Sequence, residues 1–339
     1  MRRLELVSYG PLPDAVRFAE APLPAIGDHD VLVKVQAAAL NPIDYKVIHG
    51  ALRAVMPLQL PAALGFDCAG RIEAVGARVG DFAPGDAVYV RASRQRMGSL
   101  AEYLAVEARF VARAPERLTA IEAASIPLVA LTTIQGLVDR ARAQPGQRVL
   151  IHAGSGGLGT FAVQYARHEL GLQVTTTTSS RNADWVAGLG ADTVIAYDQQ
   201  DYKALPARYD IVFDTLGGAT TADSFKVLRR GGTVVSVAGP PDWSFARQVG
   251  ASAPLAAAMW AKGLPMELRA RLRGGRYFRY LTESDGAQLT QVAGVIDAGK
   301  VKPVIDRVFA FDEAIEALQY LEAGRAKGKV VVAVRDQAN

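Results

Sequence analysis

Residues 148–170 read RVLIHAGSGGLGTFAVQYARHEL, an apolar run, a glycine-rich loop and an amphipathic segment in direct succession. The run "RVLI" follows the turn "QPGQ" and is short and continuous, as in a strand buried on both faces. Leu158, Phe161, Ala162, Tyr165 and Ala166 then recur at helical spacing. Gly154, Gly156 and Gly159 between them have the G-x-G-x-x-G spacing, which becomes informative where it leaves a strand and opens a helix. In this setting Gly154 is expected to make the tight turn, Gly156 to admit a pyrophosphate close to the backbone, and Gly159 to allow tight helix packing. The helix N-terminus offers free N–H groups and a favourable dipole for that anion, so Ser155, Gly157 and Leu158 join the three glycines as cofactor-binding candidates. A turn that simply needs small residues is the alternative.

On the C-terminal side the alternation of strand and helix continues through "LQVTTTTSS", "DTVIAY", "YDIVFDTLGG", "TADSFKVLRR" and "GGTVVSVAGPP". This α/β texture predicts a doubly wound parallel sheet. On the N-terminal side, short runs such as "DVLVKVQAA", "GRIEAVG" and "DAVYVRA" are punctuated by Pro and Gly. Val31, Val33 and Val35 alternate with Leu32, Lys34 and Gln36, which predicts a strand with one buried face in a small irregular β-barrel.

The 339 residues suffice for two domains, and 50% hydrophobic with 21% charged residues is a globular composition. No apolar run reaches the roughly 18 residues of a membrane span, and "MRRLELVSYG" lacks a secretory h-region, so a cytoplasmic protein with no membrane partner is expected. A single cysteine, Cys68, excludes an intramolecular disulfide. The formal charge of +4 is mild, and no basic module interleaved with aromatics suggests nucleic acid. The arginines 269, 271, 273, 276 and 279 read as a solvated helix face rather than a phosphate patch.

The second strand of such a sheet should end about 20 residues beyond the glycine loop, where a carboxylate would bind the ribose of NAD. The chain has Ser179, Ser180, Arg181 and Asn182 there, with no acidic residue at the tip. Two hydroxyls and a guanidinium suit a 2′-phosphate, which points to NADPH.

Taken together, "LGFDCAGRIEAVG", "FAPGDAVY", "GSLAEYLAV", "AASIPLVALTTIQGL", "HAGSGGLG" and "KGKVVV" resemble, in order and over nearly the whole chain, the medium-chain dehydrogenase/reductase superfamily, and within it the zinc-independent quinone oxidoreductases and alkenal/enone reductases. The resemblance implies a GroES-like β-barrel catalytic domain over 1–123 and 284–339, a Rossmann domain over 124–283, and a homodimer acting on a small-molecule substrate. Zinc members have G-H-E where this chain has Gly65, Phe66 and Asp67, and one cysteine with four scattered histidines cannot build a usual zinc site, so no metal is expected. Without a Lewis acid, acceptors already activated by conjugation are favoured. Cys68 is then a small buried hydrophobe, and Asp67 a structural residue.

By the same resemblance, Asn41, Tyr45 and Lys46 in "NPIDYKVIHG" line the nicotinamide cleft, with Asn41 contacting nicotinamide or substrate and Lys46 holding an enolate oxygen or delivering a proton. A surface lysine and a packing tyrosine are the competing readings. Thr132, Tyr197 and Lys329 match cofactor-contacting positions, Gly217, Ala238 and Gly239 sit at strand C-termini, where an open α/β sheet binds its ligand, and residues 243–283 are expected to shape the substrate pocket. The expected activity is NADPH-dependent hydride transfer to a quinone or an α,β-unsaturated carbonyl. An enoyl-thioester reductase and a non-catalytic NADPH-binding protein are the alternatives.

Overall fold

The strand expected around Val31 forms, with Val31, Val33 and Val35 fully buried and Lys34 and Gln36 only partly so, while Leu32 is buried as well. In the computed structural model, which describes residues 1–206 and 208–335, two compact units are formed. The first comprises 1–131, 283–299 and 303–335 of the described residues, and the second 132–206, 208–282 and 300–302. Residues 336–339 of the expected catalytic domain lie outside the described residues.

In the first unit, β1 (Arg2–Leu6) pairs antiparallel with β2 (Val16–Glu20) and with β4 (Ala62–Ala63). β3 (Asp30–Leu40) pairs with β5 (Asp67–Val75) and β7 (Tyr103–Glu107), and β6 (Ala87–Arg91) joins β5 to β8 (Val111–Arg113). Only Lys34 and Gln36 of β3 escape burial, and β3 has strand neighbours on both edges. The β3–β5 ladder is irregular at Val35/Ala37, beside Gly70, where a Cβ would lie 2.1 Å from the Lys34 carbonyl oxygen. Here α1 (Pro42–Ile48) follows β3 directly, and its Pro42 sits at the first helical position, where no N–H is needed. α2 (Ala120–Ala124), capped by Thr119 with Glu122, packs on β3 and β5. Residues 124–131, which the sequence division places in the Rossmann domain, fall in the first unit.

The second unit begins within α3 (Pro127–Ile134). Its six strands are β9 (Arg148–Ile151), β10 (Gln173–Thr178), β11 (Thr193–Ala196), β12 (Tyr209–Asp214), β13 (Leu228–Ser236) and β14 (Arg276–Arg279). All pairs are parallel, in the order β11-β10-β9-β12-β13-β14. Counted from β9, this is the 3-2-1-4-5-6 order of a dinucleotide-binding sheet. Val149 and Ile151 enter the core on one face and Leu150 the core on the other, which is why "RVLI" is apolar at every residue except its exposed start. The crossover helices are α4 (Gly157–His168), α5 (Ala183–Ala187), α6 (Ala219–Val227), and the pair α7 (Trp243–Gln248) and α8 (Ala253–Leu272).

The arginine run does not form one helix face. Arg269 and Arg271 lie on α8, whereas Arg276 and Arg279 belong to β14. Arg276 donates to the Ala141 carbonyl and to Thr233 Oγ1, and Arg279 to the Gly239 carbonyl, so both guanidinium groups are engaged by neutral acceptors.

The chain returns to the first unit with α9 (Gly286–Asp297), β15 (Ile305–Ala310), α10 (Ala314–Glu322) and β16 (Lys329–Ala333). β16 pairs with β3, completing a seven-stranded mixed sheet. Its core and that of the β1 sheet are continuous, from Leu4 and Leu6 through Val33 and Phe66 to Val330 and Val332. Residues 300–302 stay with the second unit, where Gln164 donates to the Lys302 carbonyl and accepts its N–H, and Lys300 pairs with Glu169 at 2.8 Å. No helix among the described residues is long and apolar enough to cross a membrane.

Candidate active site

The glycine loop joins β9 to α4 at the carboxyl edge of the parallel sheet. The residue with positive φ in its turn is Ala153 (φ 57°), and not Gly154 as the motif suggests. Gly154 is needed for a different reason: a Cβ there would lie 2.3 Å from Thr176 Oγ1. At Gly159 a Cβ would meet the Ala153 carbonyl oxygen at 2.1 Å, so this residue does permit the close helix approach. Gly156 caps α4 and has open space around it, with no atom nearer than 3.4 Å to a Cβ. Gly157 and Leu158 begin the helix, and Ser155 is half-buried in the turn. The loop is held by threonines of β10: the N–H of Ala153 donates to Thr177 Oγ1 (3.2 Å), that of Gly154 to the Thr177 carbonyl (2.9 Å), and Thr176 Oγ1 to the Ile151 carbonyl (2.7 Å). The polar run "TTTT" in a buried strand is the sequence signal for this support.

His152, just before the loop, is buried against Tyr202 with ring centroids 4.9 Å apart. Its Nδ1 lies 3.2 Å from Thr177 Oγ1, and its Nε2 has no partner. Burial pushes the imidazole down to about 4, against the opposing influence of Asp214.

At the tip of β10, Ser179 is buried, Ser180 half-buried and Arg181 exposed. The tip is not free of carboxylates, contrary to the sequence reading. Asp198, beyond β11, accepts the Ser180 N–H at 2.9 Å and its hydroxyl at 2.7 Å. Tyr197 beside it is 63% exposed, so its ring is available to a ligand.

The sequence reading also missed Asp214, the last residue of β12, which is fully buried. Its Oδ1 accepts the N–H groups of Leu216 and Gly217, each at 3.0 Å, and its Oδ2 accepts the hydroxyls of Thr221 (2.5 Å) and Ser236 (2.8 Å). Ser236 Oγ in turn accepts the N–H groups of Ala238 (3.2 Å) and Gly239 (2.7 Å). One carboxylate therefore ties together the loops that carry Gly217, Ala238 and Gly239. Gly217 (φ 75°) passes so close that a Cβ would lie 2.4 Å from the Ala238 carbonyl oxygen. Thr132 is also buried in this unit, its hydroxyl 2.7 Å from that of Thr282 and its carbonyl accepting the Tyr280 hydroxyl at 2.5 Å. Within 243–283, Trp243 and Trp260 are exposed, while Phe245 and Tyr277 are packed inside.

In the first unit, Asn41 and Lys329 are buried and bonded to each other. The Lys329 ammonium donates to Asn41 Oδ1 and to the Leu40 carbonyl (3.1 Å), and lies 3.8 Å from Asp67 Oδ2. Asn41 Nδ2 donates to the same Asp67 oxygen at 2.9 Å, as does the Leu128 N–H at 3.2 Å. The Asn41 N–H donates to Asp44 Oδ2 at 2.7 Å, at the start of α1. Arg91 adds a second buried cation, its Nη1 donating to Ser284 Oγ (2.9 Å) and its guanidinium lying over the Phe66 ring.

Burial raises both carboxyls, Asp44 to about 7, with Lys329 and Arg91 opposing the rise, and it lowers Arg91 to about 10. Asp44 Oδ1, Asp67 Oδ1 and Arg91 Nε have no protein partner. On α1 itself, Lys46 is exposed and Tyr45 half-buried against His49.

Asp67 and Cys68 point to opposite faces of β5, with Cys68 in the apolar core and its thiol pushed up by burial. Asp67 Oδ2 is shared by an ammonium and two N–H donors. Among the described residues no three His, Cys, Asp or Glu side chains gather to hold a metal ion, so the donor set does not suit zinc.

Comparison with known proteins adds the family. The alcohol dehydrogenase GroES-like domain family matches residues 27–116, and the zinc-binding dehydrogenase family matches residues 189–332. The chain is 34% identical to the 2-methylene-furan-3-one reductase of Solanum lycopersicum, over 98% of this chain and 79% of that protein. It is 36% identical to the chloroplastic NADPH-dependent alkenal/one oxidoreductase of Arabidopsis thaliana, over 91% and 73%. Among solved structures, the quinone oxidoreductase from Coxiella burnetii superposes with a TM-score of 0.85 at 30% identity, covering 99% of both chains.

Proposed function

Since the chain belongs to the medium-chain dehydrogenase/reductase superfamily, in its zinc-independent quinone and enone reductase branch, we propose that it is an NADPH-dependent oxidoreductase that reduces an activated acceptor, an α,β-unsaturated carbonyl or a quinone. The observation that carries this reading is the glycine loop at the carboxyl edge of a 3-2-1-4-5-6 sheet, in a chain whose relatives include an NADPH-dependent alkenal/one oxidoreductase.

Bound NADPH supplies the hydride. The N-terminus of α4 and the N–H groups of the loop favour the pyrophosphate, while Ser179, Ser180, Arg181 and Tyr197 serve the adenosine end. The loops of Gly217 and of Ala238 and Gly239, set by Asp214, complete the cofactor site together with Thr132. In the first unit, the buried bonds of Asn41 fix the start of α1 and thereby the positions of Tyr45 and Lys46. Lys46 carries the positive charge that stabilises the enolate oxygen, and it or water returns the proton. Conjugated acceptors fit a donor set unsuited to a Lewis-acid metal, since they need the least polarisation of the carbonyl. The same reading has a homodimer in the cytoplasm acting on a small molecule, without a nucleic-acid partner. The single buried thiol fits a reducing compartment.

The test is NADPH oxidation by chelator-treated protein with a short enone and a quinone in parallel, and identification of the enone product. A saturated ketone is expected; an allylic alcohol would instead mean direct carbonyl reduction and would overturn the reading. Lys46→Met is expected to lower enone turnover about 10²-fold or more, the scale of one positioned proton donor. Unchanged turnover removes Lys46 from the mechanism.

A further inference from the structure

The parallel register of β10 and β11 brings a carboxylate to the adenosine end of the second unit. Thr178 lies opposite Ala196, so the residues two positions further on, Ser180 and Asp198, meet beyond the ends of the strands. The N–H of Tyr197 donates to the Thr178 carbonyl at 2.9 Å, which extends the ladder up to this contact. Ser180 then directs both of its donors at Asp198, the N–H to Oδ1 at 2.9 Å and the hydroxyl to Oδ2 at 2.7 Å. These bonds, together with the nearby Arg181 guanidinium, hold the Asp198 carboxyl below the usual carboxylate range, so it is charged at neutral pH.

We infer that Asp198 is a specificity-determining residue for the cofactor: by occupying the donors of Ser180 and placing a negative charge beside Arg181, it limits the preference for NADPH over NADH. The inference rests on the reading that Ser179, Ser180 and Arg181 receive the 2′-phosphate. A phosphate monoester carries nearly two negative charges and seeks N–H and O–H donors. To reach those of Ser180 it must displace Asp198, and otherwise it relies on Arg181 while lying next to a like charge. A ribose 2′-hydroxyl meets neither obstacle, because it is neutral and donates to a carboxylate. The residue therefore penalises one cofactor and not the other. Because Asp198 and Arg181 are exposed and solvent-screened, the effect is modest and salt-dependent.

Asp198→Asn keeps an acceptor for the Ser180 N–H and removes the charge. The experiment compares kcat/KM for NADPH and NADH with one acceptor at low ionic strength, and the binding of 2′,5′-ADP and 5′-AMP by calorimetry. In Asp198→Asn the NADPH-to-NADH ratio is expected to rise about three- to tenfold, with tighter 2′,5′-ADP, little change for 5′-AMP, and a smaller gain in 0.5 M salt, as for screened surface charges. A ratio that stays constant or falls overturns the inference. Arg181→Glu, measured alongside, separates the two levels. If it abolishes 2′,5′-ADP binding while Asp198→Asn leaves the ratio unchanged, only the role of Asp198 fails. If it leaves 2′,5′-ADP binding intact, the 2′-phosphate does not bind here, and the underlying reading fails with it.

Discussion

The glycine loop of the second unit and the Asn41–Lys329 cluster of the first solve opposite problems. The loop presents backbone N–H groups at a helix start and keeps side chains away, so its chemistry is carried by what is missing at Gly154, Gly156 and Gly159. The cluster buries two carboxyls and two cations, with Lys329 set against Asn41 and Asp67. One leaves backbone groups exposed at a helix start; the other pairs buried side chains next to the start of α1. Asn41 has the expected residue type, yet its amide is engaged by Asp67 and Lys329.

The sharpest way to break this contrast is Lys329→Met. It leaves Asp67 and Asn41 without their cation, and breaking a buried pair of this kind costs about 3–5 kcal/mol. Urea denaturation is expected to show that loss, and the double variant with Asp67→Asn to recover part of it. A single variant as stable as the wild type would show that the buried pair contributes nothing.

Gly159→Val tests the other side. Its Cβ would fall 2.1 Å from the Ala153 carbonyl oxygen, so α4 must shift, at a cost of about 1–3 kcal/mol for overpacking. Fluorescence titration is expected to show NADPH binding weakened far more than that stability change suggests, because the phosphate-facing N–H groups move with the helix.

The smallest effect is a pair of opposite pH dependences. Asp44 binds its proton more tightly folded, with its pKa at about 7, than unfolded at 3.8. Its contribution to stability is therefore complete below about pH 3.8 and is lost as pH rises through 7. His152 is depressed to about 4 from 6.5, so the folded state binds its proton less well, and stability is lost as pH falls from about 6.5 to 4. Each slope is at most about 1.4 kcal/mol per pH unit. Hydrogen exchange followed separately in the two units should lose the first trend in Asp44→Asn and the second in His152→Asn. Identical profiles for wild type and both variants would remove these groups from the pH response.

Legibility in the sequence followed the range of the interactions. Gly154 to Gly159 lie within one loop, and both spacing and context are local, so the motif was readable, although the left-handed residue proved to be Ala153. The strand "RYFR" was not, because its arginines suggest a surface helix, while the strand is made by parallel pairing with β13, about 40 residues earlier in the chain. Asp198 is not legible at the tip of β10, because it lies 18 residues further along the chain and the register of two parallel strands decides that it stands beside Ser180. Asp214 was visible in "YDIVFDTLGG", but nothing nearby signals that its partners include Ser236, 22 residues on.

The sequence by itself determined the α/β class, the position of the dinucleotide loop, the absence of usual zinc ligands and the family resemblance, since these depend on periodicity and on residue types at short spacing. Tertiary structure alone decided that Lys329 sits against Asn41, 288 positions away, and that a carboxylate reaches the end of β10. Pairings of this kind depend on strand order and register, which come from packing the whole sheet and are not encoded in any one segment.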